Sequence, residues 1–517
     1  MPPHWKTLRH NGIAFLSEYA PQGLTIWVRE KEIRLSPLAE EMAYHLAKKK
    51  DTQYINDPIF VANFMKDFTR ELPEWCKDAK FEEVDFMQFY TLVDEEKKAK
   101  ELMSKEKKKL LAVERKTLRE QLKMRYGHAV IDGKGAEIAN WMVEPPGLFM
   151  GRGMHPLRGR WKPRIGFSDV ILNLDEEAPV PSGNWHEIIN DHNSMWIAKW
   201  IDKLTGKEKY VWLHDSSELQ QSRNKEKYDR AIRIGKHLSI IHNRIFKAMH
   251  SNDLKTRKIA TISYLIDTLG MRVGDEKDED EADTVGATTL RVEHVRIRDR
   301  RIDFDFIGKD SVKWEKSIEA PALVIGNLQE FTSGKSQDEE IFSGINSGIV
   351  NRFLSSIVEG LTAKVFRTYH ATFTVESYLR SIDVDKTDEL EKIYHAKIAN
   401  LQAAMFCNHK RTPPKNWEES LKKKEQKLEE YRAKGKEERV RKMILNIDLA
   451  IKTRDYNLNT SLKNYIDPRI YRSWCDYANL DWTKLYTKSL QRKFSWVTKS
   501  RKPWLTIQLT QTPAIHK

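Results

Sequence analysis

The chain has 517 residues, of which 40% are hydrophobic and 10% aromatic, enough to bury about two to four separate cores and too much for a disordered polymer. A net charge of +14 points to a polyanionic partner; nucleic acid leads, while an RNA or an acidic membrane surface stays open on charge alone. Cys76, Cys407 and Cys475 form no CxxC pair, no apolar run approaches a membrane span, and MPPHWKTLRHNG lacks a signal-peptide core. A disulfide framework, a zinc module and a secreted or membrane-spanning protein are therefore not expected, and a soluble intracellular protein is.

In chain order, TIWVREKEIRLSP alternates like a hairpin, and SPLAEEMAYHLAKKK follows it as a helix with a serine cap. From Asp94 to about Tyr126 a Lys/Glu-rich stretch is helical in propensity and largely solvated. In EPPGLFMGRGMHPLRGRWKPR, Glu144 to Arg164, prolines and glycines exclude a long helix while guanidinium groups accumulate beside exposed backbone, which suits phosphate contact. A strand pair turning at Thr205–Gly206 follows, interleaving Trp, Lys and Tyr.

From about Ser216 to Lys415 the pattern is mainly helical. Ile259, Ile262, Ile266 and Leu269 keep helical spacing, as do Val350, Phe353, Leu354, Ile357 and Leu361. One hairpin interrupts them: in RIDFDFIGKD, Ile302, Phe304 and Phe306 share a face, and Gly308 places Lys309 at a strand end. Residues 416–455 read as two charged helices folding back at Gly435, an antiparallel coiled-coil hairpin. A short helical unit bearing Tyr465 and several tryptophans ends the chain.

Breaking a phosphodiester bond without a metal needs a nucleophile, fixed positive charge around the five-coordinate phosphorus, and a proton for the departing oxygen. Arginine suits the second task because it stays charged and its fork matches two phosphate oxygens. Tyrosine, with an ordinary pKa near ~10, is a poor nucleophile unless cations and a hydrogen-bond network assist it. Four segments supply such groups: LGMRVGD with Arg272, FDFIGKDSVKW with Lys309, LTAKVFRTYHAT with Lys364 and Arg367, and MFCNHKRTPPK with His409. Spacing alone does not make them converge on Tyr465, and composition alone would make each cation a solvated surface charge.

These runs, KDSVKW, GLTAKVFRTY, FCNHKRTPP and NYIDPRI, closely resemble eukaryotic-type DNA topoisomerase I, the type IB class, in order and from WKTLRHNG to QRKFSWV. The resemblance implies transient cleavage of one strand of duplex DNA through a 3′-phosphotyrosyl bond, strand rotation and religation, with neither ATP nor metal. It implies a multidomain α+β, predominantly helical fold. An N-terminal DNA-binding cap would occupy 1–215, with charged helices at about 90–126, and a mainly α catalytic core 216–415. A coiled-coil linker (416–455) and a small helical C-terminal domain (456–517) would follow.

By that resemblance Tyr465 is the nucleophile, Arg272 and Arg367 hold the non-bridging oxygens, His409 adds a hydrogen bond there, and Lys309 is the general acid. Arg152 and His155 fall on the family's DNA-clamping loop, Trp196, Lys209 and Tyr210 on the Trp/Lys hairpin, and Lys227 just after it. Thr284, Asn351, Thr362 and Lys364 fall on further DNA-contact segments, with Lys100 on the charged helix. Asp310 and Asn464 match positions where camptothecin-type inhibitors engage the cleaved complex. A monomeric clamp of low sequence specificity, acting in the nucleus, is the expectation.

The chain departs from the family's pattern in four places. Lys463 stands one position later than the usual lysine before Asn-Tyr, a swing of roughly a hundred degrees on a helix. Met150 replaces the usual arginine before the GRG loop, the linker is shorter, and the 498–517 tail matches nothing in the pattern. Three other readings compete. A tyrosine recombinase would carry His-x-x-Arg where this chain has Lys364-x-x-Arg367. A magnesium enzyme would use the acidic run Asp275–Asp283, whose plainer reading is a solvated turn. A non-catalytic DNA-binding protein would need no ordered Arg/Lys/His/Tyr set.

Overall fold

A computed structural model describes residues 3–275 and 284–499, apart from the side chains of Asp310 and Lys499. Most of the acidic run and most of the unmatched tail therefore lie outside the described residues. The rest divides between two units, residues 3–220 and the remainder from Gln221, each with its own cores.

The first unit runs β1 (Leu8–His10), β2 (Thr25–Val28), β3 (Lys31–Arg34), α1 (Pro37–Ala47), α2 (Pro58–Phe68), β4 (Val84–Asp85), α3 (Met87–Leu102) and α4 (Lys105–Tyr126). It continues with β5 (His128–Ile131), β6 (Lys134–Glu137), β7 (Gly147–Leu148), β8 (Trp161–Lys162), β9 (Val170–Asn173), β10 (Glu187–Ile189), β11 (Trp196–Ile201) and β12 (Glu208–Trp212). The strands form small sheets in the orders β1-β5-β6, β3-β2-β4, β7-β8 and β10-β9-β11-β12. Ser36 caps α1 with Pro37 at its first position, a pairing that satisfies one orphan amide and omits another. The charged stretch is two helices, because Ser104 opens a new one, and α4 has no fully buried residue, only Leu122 and Tyr126 packing partly buried against a core. One core gathers Phe60, Phe64, Phe68, Phe86 and Phe89; another gathers Trp5, Trp141, Leu172 and Trp200.

The second unit takes over within α5 (Glu218–Lys236) and runs α6 (Leu238–Met249), α7 (Leu254–Leu269), β13 (Val295–Arg298), β14 (Arg301–Gly308), β15 (Val312–Glu319), α8 (Ala322–Thr332) and α9 (Ser347–Ile357). It ends with α10 (Ala363–Arg380), α11 (Glu389–Phe406), α12 (Trp417–Ala433), α13 (Glu437–Lys452), α14 (Leu458–Asn464), α15 (Pro468–Tyr477) and α16 (Lys488–Lys493). The expected hairpin is the centre of a three-stranded antiparallel sheet, β13-β14-β15, with Ile302, Phe304 and Phe306 turned into the core. Leu361, read as the end of a helical stripe, lies beyond α9 yet is fully buried in the turn before α10. α12 and α13 pair as a helical hairpin whose turn is Gly435 at φ +60, a conformation glycine adopts without steric cost.

Two cores serve this unit. Ile262, Leu265, Ile266, Phe304, Trp314 and Phe366 belong to one; Tyr228, Ala399, Ala403, Tyr465, Tyr471, Trp474 and Phe494 belong to the other. Residues of α10 contribute to both, and so this helix sits where the two cores adjoin. Among the described residues no helix is long and apolar enough to cross a membrane.

Candidate active site

Arg272 follows α7, whose end is set by Gly270 in the left-handed region at φ +65. The chain then runs beside residues 285–288. The Ala287 amide donates to the Arg272 carbonyl at 2.9 Å, and the Thr288 amide to the Val273 carbonyl at 2.8 Å. The two backbones meet at Gly274 and Gly286, where a Cβ on Gly286 would lie 2.4 Å from the Gly274 Cα. Two glycines allow that approach, and Thr284 lines the same cavity as Arg272. Lys309 stands at the end of β14, as its glycine predicted, and is exposed.

Arg367 lies one turn into α10, in phase with buried Ala363 and Ala371, and is itself 3% exposed. Its Nη1 donates to the Tyr465 hydroxyl at 3.1 Å and its Nη2 to the Cys407 carbonyl at 2.8 Å, while the guanidinium carbon sits 4.7 Å from the Tyr465 ring centre. Tyr465 directly follows α14 and is 6% exposed. It is fixed on both sides. Thr372 Oγ1 donates to the Tyr465 carbonyl at 3.2 Å and accepts the Asp467 amide at 3.0 Å, and Asp467 in turn caps α15 with Pro468 behind it.

His409 emerges from the end of α11 through Asn408, which holds φ +52; asparagine tolerates that conformation better than most residues. The turn lays the imidazole against Tyr465, with ring centres 5.0 Å apart. Both ring nitrogens are buried without a hydrogen-bond partner among the described residues, as is Arg367 Nε. Burial, Arg367 and Arg272 hold the imidazole pKa down at about 3, so the ring is neutral and retains one N–H donor. A buried donor left unmet costs about 1–3 kcal/mol, so this corner is built to receive an acceptor.

Arg272, Lys309, Lys364, Arg367 and Tyr465 line one cavity of about 370 Å³, together with Thr284 and a single described carboxylate, Asp275. Four cations around one phenol make a positively charged site whose chemistry suits an anionic ester. Of the five residues assigned to chemistry, the structure thus brings four to one cavity and sets the fifth, His409, at a tilt against the phenol ring.

The other expected contacts are placed less uniformly. Lys364 and Thr284 line the cavity. Asn351 accepts the Ala363 amide at 3.0 Å and Thr362 sits at the cap position, so both define the start of α10. Lys227 donates to the carbonyl of Asn464, the residue before the tyrosine, at 3.0 Å. In the first unit Lys100 and Arg152 are exposed, and His155 is half-buried with its Nδ1 accepting the Leu157 amide. Lys209 lies 3.7 Å from Glu144, Tyr210 donates to Glu208, and Trp196 is buried against Tyr210. The side chain of Asp310 lies outside the described residues. Sequence reasoning passed over Thr372, Asn408 and the Cys407 carbonyl, which carry no pattern of their own. It also passed over Lys316, which did have one: it sits in β15 in phase with Trp314 and Ile318.

Family models match most of the chain. That of the eukaryotic DNA topoisomerase I DNA binding fragment matches residues 3–213, that of the catalytic core residues 216–443, and that of the C-terminal topoisomerase domain residues 437–506. DNA topoisomerase 1 of Homo sapiens and of Rattus norvegicus are each 34% identical over 95% of this chain, which spans 70% of their lengths. DNA topoisomerase 1 beta of Arabidopsis thaliana is 35% identical over the same share, and the chain spans 58% of its length. A cation-lined cavity around a tyrosine on a mainly helical α+β core is consistent with that class, and the matches fix it. The chain belongs to the eukaryotic DNA topoisomerase I family, the type IB topoisomerases.

Proposed function

We propose that the chain relaxes supercoiled duplex DNA of either sign by the type IB route. The Tyr465 oxygen attacks the scissile phosphorus and gives up its proton to solvent water, forming a 3′-phosphotyrosyl ester. The 5′ oxygen leaves and takes a proton from Lys309. Arg272 and Arg367 carry the charge that develops on the non-bridging oxygens, and the neutral His409 N–H donates to one of them. Religation runs the same steps backwards. The observation that carries this reading is the 3.1 Å contact of the Arg367 fork with a nearly buried phenol on a cation-lined cavity. That cation stabilises negative charge on the phenol oxygen as the proton departs.

Fixed side-chain cations supply the charge neutralisation that a metal provides elsewhere, so neither ATP nor a divalent ion is needed in this scheme. The cap, core, coiled-coil linker and terminal domain (1–215, 216–415, 416–455, 456–517) remain the working division, in a monomer acting in the nucleus. The remaining contact residues mainly position phosphates, which makes binding weakly sequence-specific and strongly salt-dependent. The test is plasmid relaxation in EDTA without ATP, on both supercoil signs, with Tyr465→Phe alongside. Relaxation by the wild type and none by the variant, with protein recovered on the 3′ DNA end, is expected. Activity in the variant, or dependence on magnesium, refutes the assignment, and recombination at a preferred site would mark a recombinase instead.

A further inference from the structure

Lys316 stands at a position of β15 whose alternation otherwise presents Trp314 and Ile318 to the interior. Its ammonium donates to the Leu269 carbonyl at 2.8 Å and to the Phe406 carbonyl at 2.7 Å. These are the last residues of α7 and α11, where carbonyls lack intrahelical partners and the helix dipoles end negative. Arg272 lies three residues beyond the first, and His409 three residues beyond the second. The two helix ends also abut: a Cβ on Gly270 would lie 2.7 Å from the Phe406 ring and 2.9 Å from its carbonyl oxygen. Arg367 binds the next carbonyl along, that of Cys407.

We propose that Lys316 is a positioning residue, a half-buried ammonium that clamps the ends of α7 and α11 together so that Arg272 and His409 face the same phosphate. It touches no substrate and acts through the two helix ends; the inference rests on the catalytic reading above. The charged or titratable groups facing it are Arg367 from α10 and Cys407 and Lys410 from the segment after α11, with the rings of Trp314 and Phe406 alongside at 5.3 and 5.2 Å. Burial, with Arg367 and Lys410 adding to it, brings its pKa down to about 8, so the clamp weakens on the alkaline side of neutrality.

The experiment measures single-turnover cleavage of a suicide duplex from pH 6 to 9.5 for wild type, Lys316→Met and Lys316→Arg, with melting curves and DNA affinity for each. Misplacing catalytic groups by about an ångström costs about a hundredfold, so Lys316→Met should cleave about tenfold to a hundredfold more slowly at unchanged DNA affinity. Wild type should lose rate above pH 8. Lys316→Arg, which stays charged, should keep its rate there. If Lys316→Met fails to fold, the alkaline limb of Lys316→Arg decides: a limb like the wild type's overturns the proposal. So does Lys316→Met that cleaves at the wild-type rate. A Tyr465→Phe control that still forms covalent adduct would instead sink the catalytic reading, whatever Lys316 does.

Discussion

Replacing Arg367 by lysine tests the site with least disturbance to its charge. The guanidinium spans two acceptors, the Tyr465 hydroxyl and the Cys407 carbonyl, and lies over the phenol ring while 3% exposed. An ammonium on a shorter stem keeps the charge and loses the planar fork. One charge-assisted hydrogen bond in a buried setting is worth about 1.5–3 kcal/mol, which at about 1.4 kcal/mol per decade predicts a fall in cleavage rate of about tenfold to a hundredfold. Binding of intact duplex should change little, because the cavity keeps four cations. The assay is covalent-adduct formation on a suicide substrate under single-turnover conditions, with affinity by anisotropy and a melting curve to exclude misfolding. A folded Arg367→Lys that cleaves within about threefold of wild type would refute the claim that the fork, and not charge alone, prepares the phenol.

The backbone crossing at Gly274 and Gly286 predicts that Gly286→Ala, whose Cβ would lie 2.4 Å from a backbone carbon, loses about 1–3 kcal/mol in urea unfolding and most of its cleavage activity. Asn351→Ala removes the acceptor for the Ala363 amide at the start of α10 and should cost about 1 kcal/mol by the same measure, with Asn351→Asp close to wild type. His409 has a folded pKa near 3 against 6.5 when unfolded, so the unfolded chain takes up the proton first as pH falls. Its stabilising contribution is present above about pH 6.5 and is lost progressively toward pH 3. His409→Gln should flatten urea stability between pH 6.5 and 4, and histidine NMR of the DNA-free protein should show this ring neutral at pH 5.

Much of the scaffold was legible. The alternation of β14, the glycine that ends it, the serine cap of α1 and the turn at Gly435 each follow from local chemistry, and the structure has each of them. Convergence was not local. Arg272 and Tyr465 are nearly two hundred residues apart, and no periodicity in either segment refers to the other; only the resemblance of ordered runs joined them. Orientation within the site was hidden too, because it depends on the positive φ of Asn408 and on main-chain carbonyls, which sequence does not distinguish from any others. Trp196, placed on a DNA-contact hairpin by the resemblance, has its ring buried against Tyr210, a packing that the alternation of Trp, Lys and Tyr does not announce.

Tyr465 is not carried on a mobile arm. Its ring belongs to the same apolar cluster as Ile466, Tyr471 and Trp474, and its main chain is pinned by Thr372. Under the proposed chemistry the severed 3′ terminus would therefore be moored to a protein interior, immobile for the lifetime of the ester. Only the free 5′ terminus can swing, and resealing must wait for it to return. How long each break stays open would then be set by the torque and drag on the DNA more than by any movement of the enzyme.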